Sequence, residues 1–204
     1  ARHQPYIAAA FHWFIRMTHS IDLSTHPLTH WSGPLGLPDF TRVREADFRD
    51  VFDAALAAHQ AEIESIATNG ETPTMANTMA SLELSGDALE RVSSIFWCIA
   101  GANTNEAIQT LEREVAPKMA RHYSAISMNA ALFARIDALY QQRGTLGLDS
   151  ESLRVLEKSW KGFVRSGARL DGEGKKRLSE INERLASLGA KFGQNVLADE
   201  SGWM

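Results

Sequence analysis

Seven histidines and one cysteine are the residues of this chain with the chemistry to bind a metal or attack a substrate. A hydrolytic zinc site carried on a helix needs two histidines four apart, the first followed directly by glutamate. The two rings then share a helix face, and the glutamate activates the metal-bound water. No histidine in this chain is followed by glutamate. His26 and His30 have the four-residue spacing, but Pro27 and the surrounding proline and glycine argue against a helix there. His59, Glu62 and Glu64 lie close together on a helical stretch, and positions 59 and 62 can face the same way. They read as a partly exposed helix face with ordinary charges. His122 falls on an apolar helix face and reads as a core histidine with a satisfied ring. Cys98 follows Phe96 and Trp97 in an apolar run and reads as a small buried hydrophobe. As a nucleophile it would need a nearby histidine or a helix N-terminus to lower its pKa, and the sequence places neither beside it.

Three further patterns carry no chemistry of their own. Gly189 and Gly193, four apart, allow a neighbouring helix to approach or simply weaken their own helix. Lys175, Lys176 and Arg177 read as a solvated helix start. Gly172-Glu173-Gly174 lacks the strand and the lysine–hydroxyl pair of a phosphate-binding loop. No catalytic and no metal-binding residue is therefore assigned in this chain, and its substrate-binding residues are unknown.

The elements that would position these side chains read as helices. Residues 24–40 hold Pro27, Gly33, Pro34, Gly36 and Pro38 and should be extended and irregular, anchored by Trp31, Leu35, Leu37 and Phe40. A first helix spans about 44–68, with Phe48, Val51, Phe52, Ala55, Leu56, Ile63 and Ile66 at helical period and a stop at Asn69-Gly70. A second begins after the N-cap Thr74 and continues to about Ile99, weakened by Gly86 in its middle. A third begins near Asn103-Thr104-Asn105 and carries Ile108, Leu111, Val115, Met119, His122 and Ile126. Pro117 should kink or divide it. A fourth runs from about Asn129 to Gln142, and a fifth from Asp149 or Ser150 to Gly167. The sixth starts after Asp171 and continues towards Glu200, with Leu178, Ile181, Leu185, Leu188 and Phe192 as a coiled-coil-like seam. No segment alternates like a strand, so the expected fold is all-α, a bundle or array of about six helices.

Composition narrows the setting. The 204 residues carry 21 basic and 25 acidic side chains, a net charge of -4, which leaves no basic excess to hold a phosphate backbone. Nucleic acid is not expected as a partner. No apolar run reaches the roughly 20 residues that span a bilayer, so no membrane association is expected either. A single cysteine excludes an internal disulfide framework and fits a reducing compartment, hence an expected cytoplasmic location. The apolar stretch from Tyr6 to Ile15 resembles a signal-peptide centre, but no small-residue cleavage site follows it. The preferred reading is that Met17 is the natural start and that 1–16 are extraneous to it. The expected organisation is an N-terminal extension over 1–23, the extended segment over 24–40, and a helical N-terminal domain over 41–204.

A family resemblance runs through these elements. Trp31-Ser32-Gly33-Pro34-Leu35-Gly36-Leu37-Pro38-Asp39-Phe40 resembles the W-x-G-P-F-G-L-P stretch that leads into the first long helix of peptidyl-dipeptidases. Residues 48–56 are similar to the family's F-R-P-A-F-x-x-A-L, with Asp50 in place of its proline. Residues 74–79 resemble T-F-x-N-T-I, followed at a fitting distance by Leu82-Glu83-Leu84-Ser85-Gly86. Residues 132–139 and 146–152 continue the likeness. Residues 163–170 match F-x-x-x-G-A-x-L, and residues 185–197 match L-x-x-L-x-x-x-F-x-x-N-x-L. The blocks are ordered and cover about 28–200. By this resemblance the chain is identified as the N-terminal, non-catalytic helical part of a zinc oligopeptidase of the thimet-oligopeptidase type, nearest the bacterial peptidyl-dipeptidases.

The resemblance implies a two-lobed helical enzyme split by a deep channel. Zinc is held there by His-Glu-x-x-His and a more distant glutamate, all C-terminal to the region seen here, and the motif glutamate acts as base. The complete enzyme would release C-terminal dipeptides from short peptides. This chain would form part of the channel wall, bind no zinc and be inactive alone. Two other readings stay open: a stand-alone helical module that binds peptides or other proteins, and a helical bundle with a buried ligand, for which no cofactor signature exists.

Overall fold

The computed structural model describes residues 21–203; the readings made on 1–20, the signal-like stretch and the start at Met17, lie outside the described residues. Among the described residues there is no strand, and the fold is all-α. It comprises six long helices and one short one: α1 (Phe48–Ala67), α2 (Ser81–Glu83), α3 (Asp87–Ala102), α4 (Glu106–Ser127), α5 (Ala130–Gln142), α6 (Ser150–Arg165) and α7 (Gly172–Trp203). No helix among the described residues is long and apolar enough to cross a membrane.

Local chemistry sets most helix starts. Asn105, Asn129 and Asp149 are N-caps whose side chains accept from the backbone N–H three residues on, at 2.9, 3.0 and 2.7 Å. Thr74 and Asn77 cap each other's backbone N–H reciprocally and open a π-helical turn over Met75–Ala80 that runs into α2. The helix ends have equally local causes. Gly167, at φ 95°, closes α6: its N–H donates to Val164 O and the Ala168 N–H to Phe163 O, at 3.2 and 3.0 Å. A side chain at Gly167 would also meet Leu178 of α7 at 2.7 Å.

The second helix of the sequence reading is two elements. Gly86 adopts φ 82°, outside the helical region, and separates α2 from α3. Pro117, by contrast, does not divide α4, which continues through it to Ser127. The lost backbone bond costs roughly 3 kcal/mol, and α4 buries Val115 and Met119 on either side of the proline to offset it.

Packing forms two apolar clusters. The first joins Phe48, Val51, Phe52 and Ala55 of α1 to Leu89, Val92, Ile95 and Phe96 of α3 and to Ile108, Leu111, Val115 and Met119 of α4. Phe96 is met edge-on by both Phe48 and Phe52, each with ring centroids 5.4 Å away. The second joins Ile63, Ile66 and Ala67 of α1 to Met79, Ile126, Leu132, Ile136, Leu139 and Leu156. So α1 and α4 each serve both clusters. Between α5 and α6, Tyr140 and Trp160 stack at 4.0 Å, with Arg143 and Arg169 over their outer faces and the Trp160 indole donating to Asp137 at 2.7 Å.

The segment before α1 is turned rather than plainly extended, with a 3-10 turn at Pro34–Gly36. Its anchor differs from the expected set. Leu28, fully buried in the first cluster, holds it, and Trp31 packs beside the same cluster. Leu35, Leu37 and Phe40 are exposed. The seam expected on α7 is also turned outward: Ile181, Leu185, Leu188 and Phe192 are exposed, Phe192 by 70%. The side of α7 that meets α4 is mostly polar. Asn182 donates to Ser124 at 3.0 Å, Arg121 pairs with Glu183 at 2.7 Å, and Gln194 donates to Gln109 O and Glu112 at 2.9 and 2.7 Å, around the buried Ala190.

The anchor assignment gives an expected outcome. Leu28→Ala should lower the unfolding free energy by about 2–5 kcal/mol, and Leu35→Ala should change it by less than about 0.5 kcal/mol. Urea titrations followed by circular dichroism compare the two, and equal effects would refute Leu28 as the anchor.

Candidate functional site

Two buried polar joints stand out because polar groups inside an apolar fold must find partners. The first lies where α1 and α4 pass from one apolar cluster to the other. His59 follows Ala55 and precedes Ile63 at four-residue steps on α1, and His122 lies between Met119 and Ile126 on α4. Both are buried, at 8% and 9% exposure. The rings tilt at 60° with centroids 4.9 Å apart, and His122 Nε2 is 3.0 Å from His59 Nδ1.

The proton positions follow from the partner at the far end. Ser85 Oγ donates its hydrogen to Leu82 O at 2.7 Å, so it accepts from His59 Nε2 at 3.3 Å. His59 Nδ1 is then a bare lone pair, and His122 Nε2 must donate to it. This arrangement places a hydrogen on Nε2 of each ring, and with burial opposing a second proton both imidazoles are neutral at neutral pH. Burial pushes both below the ordinary histidine pKa; Glu62 works the other way on His59, and a charge on His59 would push His122 further down. Glu62 lies one turn along α1 and accepts the Gly86 N–H at 2.7 Å. Gly86 packs so closely on the His59 ring that a side chain there would meet Cε1 at 2.8 Å.

The second joint is Arg135 of α5, 7% exposed. Its guanidinium donates to the carbonyls of Asn69 and Glu71 and, at 2.9 Å, to Asn77 Oδ1. It therefore holds the loop after α1 and the Thr74–Asn77 cap with one planar group.

The other sequence candidates fall apart in space. His26 uses Nδ1 to accept the Leu28 N–H at 3.2 Å and turns Nε2 towards Asp47 at 3.9 Å, while His30 is exposed. Glu64 is exposed, and the ring nitrogens of His59 are hydrogen-bonded to His122 and Ser85 instead. The expectation of a partly exposed His59 face is corrected: His59 occupies a core position, and only Glu62 joins it. His122 has its partner, as a core histidine should. Cys98 is exposed on α3, not buried, because the buried stripe of that helix runs through Val92, Ile95 and Phe96. Side chains built at Gly189 or Gly193 would meet nothing within 4 Å, so no helix approaches closely there among the described residues. Sequence reasoning missed His59 as core, although its four-residue steps from Ala55 and to Ile63 continue the α1 stripe. It also missed Arg135, whose partners are backbone carbonyls that no side-chain pattern reveals.

Among the described residues no group of three or more histidine, cysteine or acidic side chains could hold a metal ion. The histidine pair does not fit zinc: the two facing nitrogens share one hydrogen bond, and Glu62 is occupied by Gly86. Both joints hold backbone: Glu62 beside the histidine pair holds the Gly86 N–H, and Arg135 holds the Asn69 and Glu71 carbonyls.

Relatives identify the segment. No family model matches the chain. It is 40% identical to the dipeptidyl carboxypeptidase of Salmonella typhimurium over 177 residues, 86% of this chain and 26% of that protein. It is 38% identical to the Escherichia coli dipeptidyl carboxypeptidase over 165 residues, 81% of this chain and 24% of that protein. This chain belongs to their oligopeptidase family. A thimet-like oligopeptidase of Dictyostelium discoideum is 27% identical over 141 residues, 68% of this chain and 21% of that protein. The chain thus spans about a quarter of the length of the oligopeptidases that it matches. Within this oligopeptidase segment the two joints have a structural consequence that can be measured. Gly86→Ala should cost at least about 1–2 kcal/mol from the left-handed backbone alone, with more from the His59 contact. Arg135→Met should cost about 1–3 kcal/mol by removing the charged hydrogen bonds to Asn69 O, Glu71 O and Asn77 Oδ1. Thermal unfolding of both variants tests this, and unchanged melting temperatures would count against the joints.

Proposed function

We propose that this chain forms part of the substrate-channel wall of a metallopeptidase that, when complete, releases C-terminal dipeptides from oligopeptides. The observation that carries the reading is the 40% identity to a dipeptidyl carboxypeptidase across 86% of the chain. The outward apolar face of α7, with Leu185, Leu188 and Phe192 exposed, supports it, since such a face suits burial against a further part of a larger protein. The zinc of such an enzyme would be held outside this chain, whose own histidines are a poor fit for it. When bound, the metal supplies an activated water for attack on the scissile carbonyl.

The residues present would then act by exclusion. The rigid array of α1, α3 and α4 would bar folded proteins, and short peptides with a free C-terminus would be the partners. A cytoplasmic setting belongs to the same reading. The competing assignment, a stand-alone peptide-binding module, differs in one respect: it requires no peptidase activity in any longer form.

Two assays separate these. The 204-residue chain is expected to hydrolyse no peptide, with or without added zinc, and to hold no stoichiometric zinc by elemental analysis. The product of the complete reading frame is expected to release dipeptides from the C-termini of short peptides, read by mass spectrometry, and to lose this with a chelator. Absence of activity in the complete product would favour the binding module; tight zinc in the 204-residue chain would overturn the reading of this segment.

A further inference from the structure

We propose that the His59–His122 pair is a pH-operated latch that holds the Gly86 turn against α1 and α4 while both rings are neutral. The hydrogen bonds form a one-way chain: His122 Nε2–H to His59 Nδ1, His59 Nε2–H to Ser85 Oγ, and Ser85 Oγ–H to Leu82 O. Three elements distant in sequence are thereby joined: α1, α4 and the turn between α2 and α3.

The chain accepts protons unequally. His122 Nδ1 takes no part in it, so a first proton can reside there without breaking a bond. A second proton must go to His59 Nδ1, and it removes the lone pair on which His122 depends. It also places two cations with ring centroids 4.9 Å apart. The groups facing the pair offer little relief. From α1 comes Glu62, already bound to the Gly86 N–H. From α4 comes Tyr123, whose ring lies edge-on to His122 at 5.6 Å. From α3 comes Glu90, whose charge acts on Tyr123. The turn itself brings only Ser85 and Gly86, which do not titrate.

The sign of the effect follows. Both rings resist protonation when folded, and in the unfolded chain they take up protons near pH 6.5. Stability contributed by the pair is therefore complete above about pH 6.5 and falls as pH drops below it. The turn should open before the apolar clusters do, because its grip on α1 is polar and local.

Amide exchange and ring ¹⁵N spectra of the 204-residue chain test the latch. At pH 7 both rings should be neutral with hydrogen on Nε2. Between pH 7 and 5, opening at Gly86, corrected for intrinsic exchange chemistry, should rise by about tenfold or more, while amides of α5 should rise far less. His122→Gln can donate to His59 Nδ1 through its amide N–H and, once His59 takes a proton there, accept it through Oε1 without adding a second cation, so it should cut the Gly86 rise to less than about threefold. A cationic ring or an Nδ1–H His59 at pH 7 would overturn the latch, as would equal pH dependence in both proteins. If His122→Gln does not fold, the wild-type data decide alone: rings that titrate with no change at Gly86 refute it.

Discussion

The crossing of α1 with α4 is the contact on which the rest of this structure depends. Each helix buries its upstream half in one apolar cluster and its downstream half in the other. Neither cluster closes without both helices, so their relative placement sets where α3, α5 and α6 can pack. At the midpoint, where a continuous apolar stripe would be cheapest, the chain instead places two imidazoles. Burying them costs desolvation that only a complete set of partners offsets. The one-way hydrogen-bond chain partners His122 Nε2 and both nitrogens of His59, and it works in only one register of α1 against α4. Apolar contacts alone tolerate sliding by a fraction of a turn; a 3.0 Å nitrogen–nitrogen contact does not.

Arg135 solves a similar problem for the second cluster. The chain leaves α1 at Ala67 and must return through the π-helical turn at Met75–Ala80 to cover Ile63 and Ile66. The loop between them leaves the carbonyls of Asn69 and Glu71 outside any helix. A guanidinium with several donors in one plane meets two of those carbonyls and the capping amide of Asn77 together. A lysine, a point donor on a flexible stem, would not span the three. The cap that starts the next element and the loop before it are therefore both tied to α5 through one side chain.

How much of this was legible in the sequence depends on the range of the interaction. Helix starts at Asn105, Asn129 and Asp149 were readable because a cap involves residues three apart. The apolar stripes of α1 and α4 were readable because burial repeats at the helical period. The break at Gly86 was read only as a weakening, because its cause is the His59 ring 27 positions earlier in the chain, pressed against the space where a side chain would sit. Of the two outcomes expected at Pro117, division does not occur, since the burial that keeps α4 whole comes from other helices. Cys98 looked buried because its neighbours are apolar, yet the stripe of α3 turns Val92, Ile95 and Phe96 inward and leaves it outside. The histidine joint needed partners on three elements, and no local pattern contains all three.

The seventh helix shows how a correct periodicity can still point to the wrong partner. Its apolar residues repeat by three and four, which fixes that they share a face, but not what the face meets. Against α4 the helix presents Asn182, Glu183 and Gln194 around a small Ala190, a surface held by hydrogen bonds rather than by apolar burial. The ion pair of Arg121 with Glu183 lies at the surface and adds little by itself. This 32-residue helix is held on one side by polar contacts and leaves Leu185, Phe192 and Trp203 largely in water on its open surface, where covering them would release about 25 cal/mol per Å² of apolar area buried. The helix is so divided that one face docks on this array by hydrogen bonds while the other keeps its apolar side chains in the open.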